Sequence, residues 1–123
     1  MLNLSHKKLE VYQVALKLVK EVYELTRHFP KEEQYVLVSQ LRRAVISVCS
    51  NIAEGAARIS KTEKKRFYEI SRSSLVEADT QFEIAINLNY FKKGEIDLAE
   101  QHLVSVFKML SKMIDNLAVQ PTS

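Results

Sequence analysis

Apolar residues along most of this chain recur at alternating steps of three and four, the period of an α-helix with one buried face. The pattern falls into four segments, at about residues 7–27, 31–56, 61–90 and 95–117. The 123 residues include only two glycines and two prolines, far fewer than the turns of a β-sandwich or barrel require. Long amphipathic helices joined by short connections pack as antiparallel neighbours. We therefore predict an all-α chain in which residues 1–123 form one domain, an antiparallel up-down-up-down four-helix bundle.

The breaks between the segments carry start and stop signals for helices. Pro30 is tolerated at the start of a helix but not in its interior. Ser60 and Glu63 match the capping box S-x-x-E, which predicts that the third helix begins there. Ser5 is the expected N-cap of the first helix. Gly55 lies near the end of the second, where glycine can supply a left-handed cap residue.

The first segment carries two apolar seams, a wider stripe than one antiparallel neighbour needs. One seam is Val11, Ala15, Leu18, Val22 and Leu25. The other is Leu9, Tyr12, Leu16, Val19 and Tyr23.

Candidate catalytic and metal-binding residues are few. None of His6, His28 and His102 follows a glutamate at the Glu-x-x-His spacing that bundle metal sites use, so we expect solvated histidines and no metal. Cys49 lies mid-helix with no histidine near it in sequence, which is typical of a small core residue. Two glycines cannot build a phosphate-cradling loop. We predict a protein that is not an enzyme and holds no cofactor.

The sequence also bears on location. The N-terminus lacks the apolar stretch of a signal peptide. No apolar run approaches the roughly 18–20 residues that a membrane span needs. The chain is therefore predicted to be cytoplasmic, without membrane contact.

Charge is polarised along the chain. Residues 42–72 hold eight basic and three acidic side chains, whereas residues 73–100 hold six acidic and two basic ones. Basic clusters can contact phosphates, although a solvated helix face is the alternative interpretation. Nothing in the set is suited to reading bases, so any binding would be dominated by the backbone. The candidate nucleic-acid contacts are Arg42, Arg43, Arg58, Lys61, Lys64, Lys65, Arg66 and Arg72.

A polar stripe follows helical spacing beside the apolar seam of the second segment. Ser47, Asn51 and Glu54 form it, and Ser74 and Glu77 of the third segment are its natural partners. Two interpretations stay open. The stripe is either a hydrogen-bonded seam that fixes helix register or subunit pairing, or a binding groove.

The same region carries a family likeness. Residues 40–55, QLRRAVISVCSNIAEG, resemble the central motif of the four-helix-bundle family of intervening-sequence proteins, often encoded within inserts of bacterial large-subunit ribosomal RNA genes. VYELT at 22–26, with the following Phe29-Pro30, and SSLVEA at 73–78 resemble flanking motifs of that family. The likeness covers about residues 5–117, with Ser73 where the family usually has glycine.

This resemblance implies an assembled, basic protein. The family includes the accessory variability determinant of diversity-generating retroelements, a barrel-shaped homopentamer that binds nucleic acid and a reverse transcriptase. By resemblance, the present chain would be a homo-oligomer, a pentamer, whose basic surface contacts RNA or DNA. The two-seam first helix agrees, because a spare apolar face needs a partner. The alternative is a protein–protein scaffold or accessory subunit with a protein partner and no nucleic-acid contact.

Overall fold

The computed structural model of the chain describes residues 1–118. This part of the chain contains four α-helices and no β-strand. The helices are α1 (Glu10–Thr26), α2 (Ser39–Ala57), α3 (Lys61–Asn87) and α4 (Asp97–Asn116). The predicted all-α class is confirmed.

Contacts between α2 and α3 show that the two helices run antiparallel. Gln40 near the start of α2 contacts Gln81 near the end of α3. Further along α2, Ser47 contacts Ser74, which lies earlier in α3. Each helix packs on its neighbour in the chain, and α4 closes the ring by packing on α1. The arrangement is the predicted up-down-up-down bundle.

All four helices contribute to one apolar core. Leu18 of α1, Leu41 of α2, Leu75 of α3 and Leu110 of α4 are fully buried within it. On α1, four residues of one predicted seam are buried: Val11, Ala15, Leu18 and Val22. The core therefore takes this seam of α1. The other seam, which we call the outer seam, lies at the edge of the bundle and consists of Leu9, Tyr12, Leu16, Val19 and Tyr23.

The outer seam is partly covered by neighbouring side chains. His6 packs edge-on against Tyr12, with ring centroids 4.7 Å apart. The guanidinium carbon of Arg42 lies 4.2 Å from the centroid of the Tyr23 ring. Leu16, between them, remains 46% exposed. Side chains of the same chain therefore cover much of the outer seam of α1.

The N-terminal segment corrects two expectations. Ser5 does not cap α1, because residues Ser5–Lys8 form a separate 3₁₀ turn and Leu9 precedes α1 without a side-chain cap. His6 is buried, not solvated, because this turn folds its ring against the outer seam.

The second helix begins later than predicted. A 3₁₀ turn at Lys31–Glu33 and a π-helical turn at Gln34–Val38 precede α2, where one continuous helix was expected. The π turn inserts an extra residue into the helical path. Leu37 and Val38, at the end of this turn, are both buried.

The turn between α2 and α3 contains one confirmed signal and one wrong prediction. The Glu63 N–H donates to Ser60 Oγ at 3.1 Å, so Ser60 is the predicted N-cap of α3. Gly55 is not a cap, because α2 continues to Ala57. A Cβ at Gly55 would lie 2.6 Å from Cε1 of Tyr68. This glycine therefore allows α3 to approach α2 closely.

The third helix ends earlier than predicted, at Asn87 instead of residue 90. Asn89 adopts a left-handed conformation with φ of 62°, which asparagine tolerates better than most residues. The Tyr90 N–H then donates to the Ala85 carbonyl at 3.0 Å, the closing bond of a Schellman cap. The Tyr90 hydroxyl donates to the Glu33 carboxylate at 2.7 Å, which raises the pKa of Tyr90 to about 12.

Candidate nucleic-acid interface

Five of the eight predicted basic contacts lie where α2 turns into α3, at one end of the bundle. They follow the end of α2 at Ala57 and continue into the first turns of α3. We call this set the basic turn: Arg58, Lys61, Lys64, Lys65 and Arg66.

An aromatic ring lies between the two arginines of the basic turn. The guanidinium carbons of Arg58 and Arg66 are 4.7 and 5.4 Å from the centroid of Phe67. Phe67 was not among the predicted contacts, and its ring is only half-buried. Its position directly after a basic run was the available signal. The ring face orients both guanidinium groups by cation–π attraction.

The acidic side chains near the basic turn form weak, exposed ion pairs. Arg58 lies 3.1 Å from Glu54, and Arg66 lies 3.9 Å from Glu63. Exposed pairs of this kind stabilise a protein by about 0–1 kcal/mol. Both arginines can therefore exchange a carboxylate for a phosphate at little cost.

The three lysines of the basic turn differ in role. Lys64 donates from Nζ to the Ala56 carbonyl at 3.0 Å, so it caps the end of α2. Lys61 and Lys65 form no ion pair with any residue among 1–118. These two lysines supply the charge that no described carboxylate neutralises.

The other three predicted contacts lie elsewhere on the bundle. Arg42 donates to Thr26 Oγ1 at 3.0 Å and sits about 24 Å along α2 from Arg58, at the usual rise per residue. Arg72 donates to Ser111 Oγ at 3.1 Å on the α4 side. The eight predicted side chains are thus not one contiguous patch.

The predicted polar stripe divides in a similar way. The hydroxyls of Ser47 and Ser74 are 2.9 Å apart, and Asn51 donates to Ser47 Oγ at 3.0 Å. Glu54 is exposed and pairs with Arg58 instead. Glu77 is also exposed, in an open polar cleft that Arg43, Ser39 and Tyr35 line as well. Three of the five stripe residues therefore form one hydrogen-bonded group, and the two glutamates face solvent.

The sequence analysis missed one residue of the hydrogen-bonded contact between α2 and α3. Ser71 is fully buried and donates from Oγ to the Val48 carbonyl at 2.8 Å. Ser71 precedes Ser74 by three residues, a spacing that places both on the same face of α3 and could have identified it. Farther along, Gln81 donates to Gln40 Oε1 at 3.3 Å. Hydrogen bonds thus run along most of the contact between α2 and α3.

The remaining candidate catalytic and metal-binding side chains are either buried or far apart. Cys49 is buried as expected, and burial raises the pKa of its thiol to about 11, which disfavours the nucleophilic thiolate at neutral pH. Within residues 1–118, no three side chains of His, Cys, Asp or Glu are grouped to bind a metal ion. None of the described helices combines the length and apolarity needed to span a bilayer.

A solved structure from Bacteroides thetaiotaomicron, described as a protein with unknown function from the S23 ribosomal protein family, shares this fold. The two match with a TM-score of 0.77 at 18% identity, over 85% of this chain and 97% of the other. No curated protein matches the chain. Residues 7–112 match the family described as 23S rRNA-intervening sequence protein, as the QLRRAVISVCSNIAEG motif predicts. Because this match spans most of the chain, the protein belongs to the 23S rRNA-intervening sequence protein family.

Proposed function

We propose that this protein is a non-enzymatic, cytoplasmic RNA-binding module that contacts the phosphate backbone through the basic turn. The proposal rests on Arg58 and Arg66, whose guanidinium groups lie over the Phe67 ring, together with Lys61 and Lys65 in the same turn. The family's description as 23S rRNA-intervening sequence protein supports RNA as the nucleic acid.

Binding would proceed by exchange of weak contacts for stronger ones. Lys61 and Lys65 would meet phosphates directly, and the release of condensed counterions would drive association. Arg58 and Arg66 would leave their exposed carboxylates for phosphate oxygens, which accept bidentate hydrogen bonds from guanidinium. Since the turn contacts backbone and not base edges, sequence specificity would be weak.

The RNA contact has a direct test. Fluorescence anisotropy with a structured RNA hairpin should show binding that weakens steeply with salt, with a log–log slope near −3 if about four phosphates are neutralised. Lys61→Glu/Lys65→Glu should lower affinity at least about tenfold at roughly 50 mM salt and make the slope shallower by about 2. No binding of the wild type at that salt concentration would contradict the proposal.

A matched variant separates local contact from overall charge. Lys17→Glu/Lys20→Glu changes the net charge of the chain by the same amount at exposed positions of α1. It should retain most of the affinity and the full salt slope. Equal losses in the two variants would mean that RNA binds by net charge alone and not at the basic turn.

We also propose that the chain self-associates, with five copies as the family resemblance implies. The outer seam of α1, where Leu16 is 46% exposed and Tyr12 and Val19 are only partly buried, supports a contact at this helix. Assembly would present several basic turns to one RNA and so increase its apparent affinity. Sedimentation velocity at micromolar concentration should give a mass several times the 14.2 kDa of one chain, and a monomer would contradict this proposal.

A further inference from the structure

The outer faces of α3 and α4 leave a groove between them that the bundle does not fill. It consists of one cavity of about 170 Å³ and a second of about 260 Å³. Asp79 and Leu103 line both cavities, so the two adjoin each other along the same pair of helices. We call this feature the α3–α4 groove. Its apolar walls are Val76, Phe82, Ile86, Ile96, Val104 and Phe107.

The groove collects much of the exposed apolar surface of the helices. Val76, Ile86, Val104 and Phe107 are each between 41% and 51% exposed. By contrast, the only exposed large apolar side chains on the described helices α1 and α2 are Leu16 and Ile46, one on each. A concentrated apolar patch of this kind marks an interaction surface, whereas single exposed residues do not.

Acidic side chains border the groove. Asp79 and Glu83 of α3 and Glu100 of α4 line its first cavity. None of these three carboxylates forms an ion pair with a described residue. Lys108 is the one basic side chain that lines the groove within residues 1–118. The groove is therefore locally acidic on a chain whose net charge is +3.

The dimensions of the groove suit a helix. The stretch from Val76 to Ile86 spans about 15 Å, or nearly three helical turns. An amphipathic helix can place apolar side chains at i, i+3, i+4 and i+7 into a groove of this length. Lysine or arginine side chains beside that stripe would reach the acidic border.

A second copy of this chain is a poor occupant. A symmetric groove-to-groove contact would bring two locally acidic surfaces together, and like charges repel. On α1, His6 and Arg42 already cover parts of the outer seam, and α2 exposes only Ile46 among its described large apolar residues, so neither helix offers a free apolar stripe nearly three turns long. We propose that the α3–α4 groove binds a basic amphipathic α-helix of a different protein.

This proposal concerns a surface separate from the basic turn and can be tested independently of RNA. The probe is a fluorescein-labelled Leu/Lys peptide of about fourteen residues whose leucines form one helical stripe. Its control is a peptide of the same composition with the leucine stripe scrambled. The intact protein should bind the striped peptide with micromolar affinity, and the scrambled peptide at least about tenfold more weakly.

Two groove variants and two matched controls locate the site. Phe107→Ala, and separately Glu83→Gln/Glu100→Gln, should each weaken binding at least about fivefold. The control for Phe107→Ala is Leu16→Ala, at a similarly exposed position of α1. The control for the charge variant is Glu10→Gln/Glu32→Gln, outside the groove. Both controls should leave peptide binding unchanged. Circular dichroism identifies any variant that misfolds, and the charge variant keeps the test valid if Phe107→Ala fails.

Two results would overturn the proposal. One is equal binding of the striped and scrambled peptides, or equal losses in groove and control variants. The other is a fall in sedimenting mass for Phe107→Ala but not for Leu16→Ala, which would show that a second copy of this chain occupies the groove.

Discussion

The two sides of α3 are built in opposite ways. Toward α2 it presents Ser71 and Ser74, which are buried and hydrogen-bonded across the interface. Toward α4 it presents Val76 and Ile86, which are about half exposed beside carboxylates that form no ion pair with a described residue. One helix therefore has a closed side and an open side.

The difference follows from the size of the side chains on both partners. On the closed side, Gly55 of α2 meets Tyr68, and small hydroxyls meet each other, so the backbones approach closely. On the open side, larger aliphatic and aromatic side chains line both α3 and α4, and cavities remain between them. Distances between packed helices depend on the side chains at the contact. Changes on the closed side should therefore affect folding, and changes on the open side should affect binding.

Thiol reactivity should show the largest contrast between core and groove. Cys49 has a pKa of about 11, so about one thiol in a thousand is ionised at pH 8, whereas an exposed thiol is about one quarter ionised. Against wild type, Cys49→Ala/Val104→Cys should react with Ellman's reagent at least about a hundredfold faster. Because burial raises this pKa, the rate for Cys49 should keep rising as pH increases toward 11. Equal rates at pH 8 would contradict the assignment of an open groove and a closed core.

Gly55→Ala should give the next largest effect, because the new Cβ would meet the Tyr68 ring at 2.6 Å. Overpacking of this kind costs about 1–3 kcal/mol, partly offset by the better helix propensity of alanine, up to about 1 kcal/mol. Urea unfolding should therefore show a net loss of stability.

A double variant isolates the clash as the cause. In a Tyr68→Leu background, Gly55→Ala should lose its penalty and become neutral or stabilising. A stabilising Gly55→Ala in the wild-type background would show that α2 and α3 are less closely packed at this point.

Ser71→Ala tests the hydrogen bonds of the closed side. Loss of the buried bond to the Val48 carbonyl should lower the free energy of unfolding by about 1 kcal/mol. Ser73→Ala makes the same chemical change at an exposed position of α3 and should be neutral within about 0.5 kcal/mol. If the two variants unfold at the same urea concentration, the bond from Ser71 contributes nothing to stability.

Val104→Thr should have the smallest effect on folding. Its side chain is 44% exposed in the groove, so an added hydroxyl can reach water, and stability should change by less than about 0.5 kcal/mol. Val106→Thr, two residues along α4 and fully buried, should cost about 0.5–2 kcal/mol, because a hydroxyl replaces a buried methyl group and only its bond to a helix carbonyl offsets the burial. Thermal unfolding of the pair checks the contrast, and a Val104→Thr penalty as large as that of Val106→Thr would show that the groove is closed.

Much of the fold was predictable because helix signals are local. The alternation of steps of three and four identified all four helices, and Ser60 with Glu63 identified the start of α3. The end of α3 was missed because Asn89 in a left-handed conformation can act as glycine does. The candidate site was less predictable. Charge counting found the basic turn but also included Arg42 and Arg72, which lie on other parts of the bundle.

The amino-acid sequence by itself determined the helices, their apolar faces and the family of this protein, because periodicity and motif are properties of neighbouring residues. The tertiary structure decided which faces are closed. The role of Gly55 in packing depends on Tyr68, which lies opposite it on α3. His6 covers Tyr12 of α1 because the N-terminal 3₁₀ turn folds back onto that helix. The α3–α4 groove likewise depends on side chains from two helices at once. The distance between two helices is set by residues far apart in the chain, so tertiary packing alone determined which side of α3 remains open to a partner.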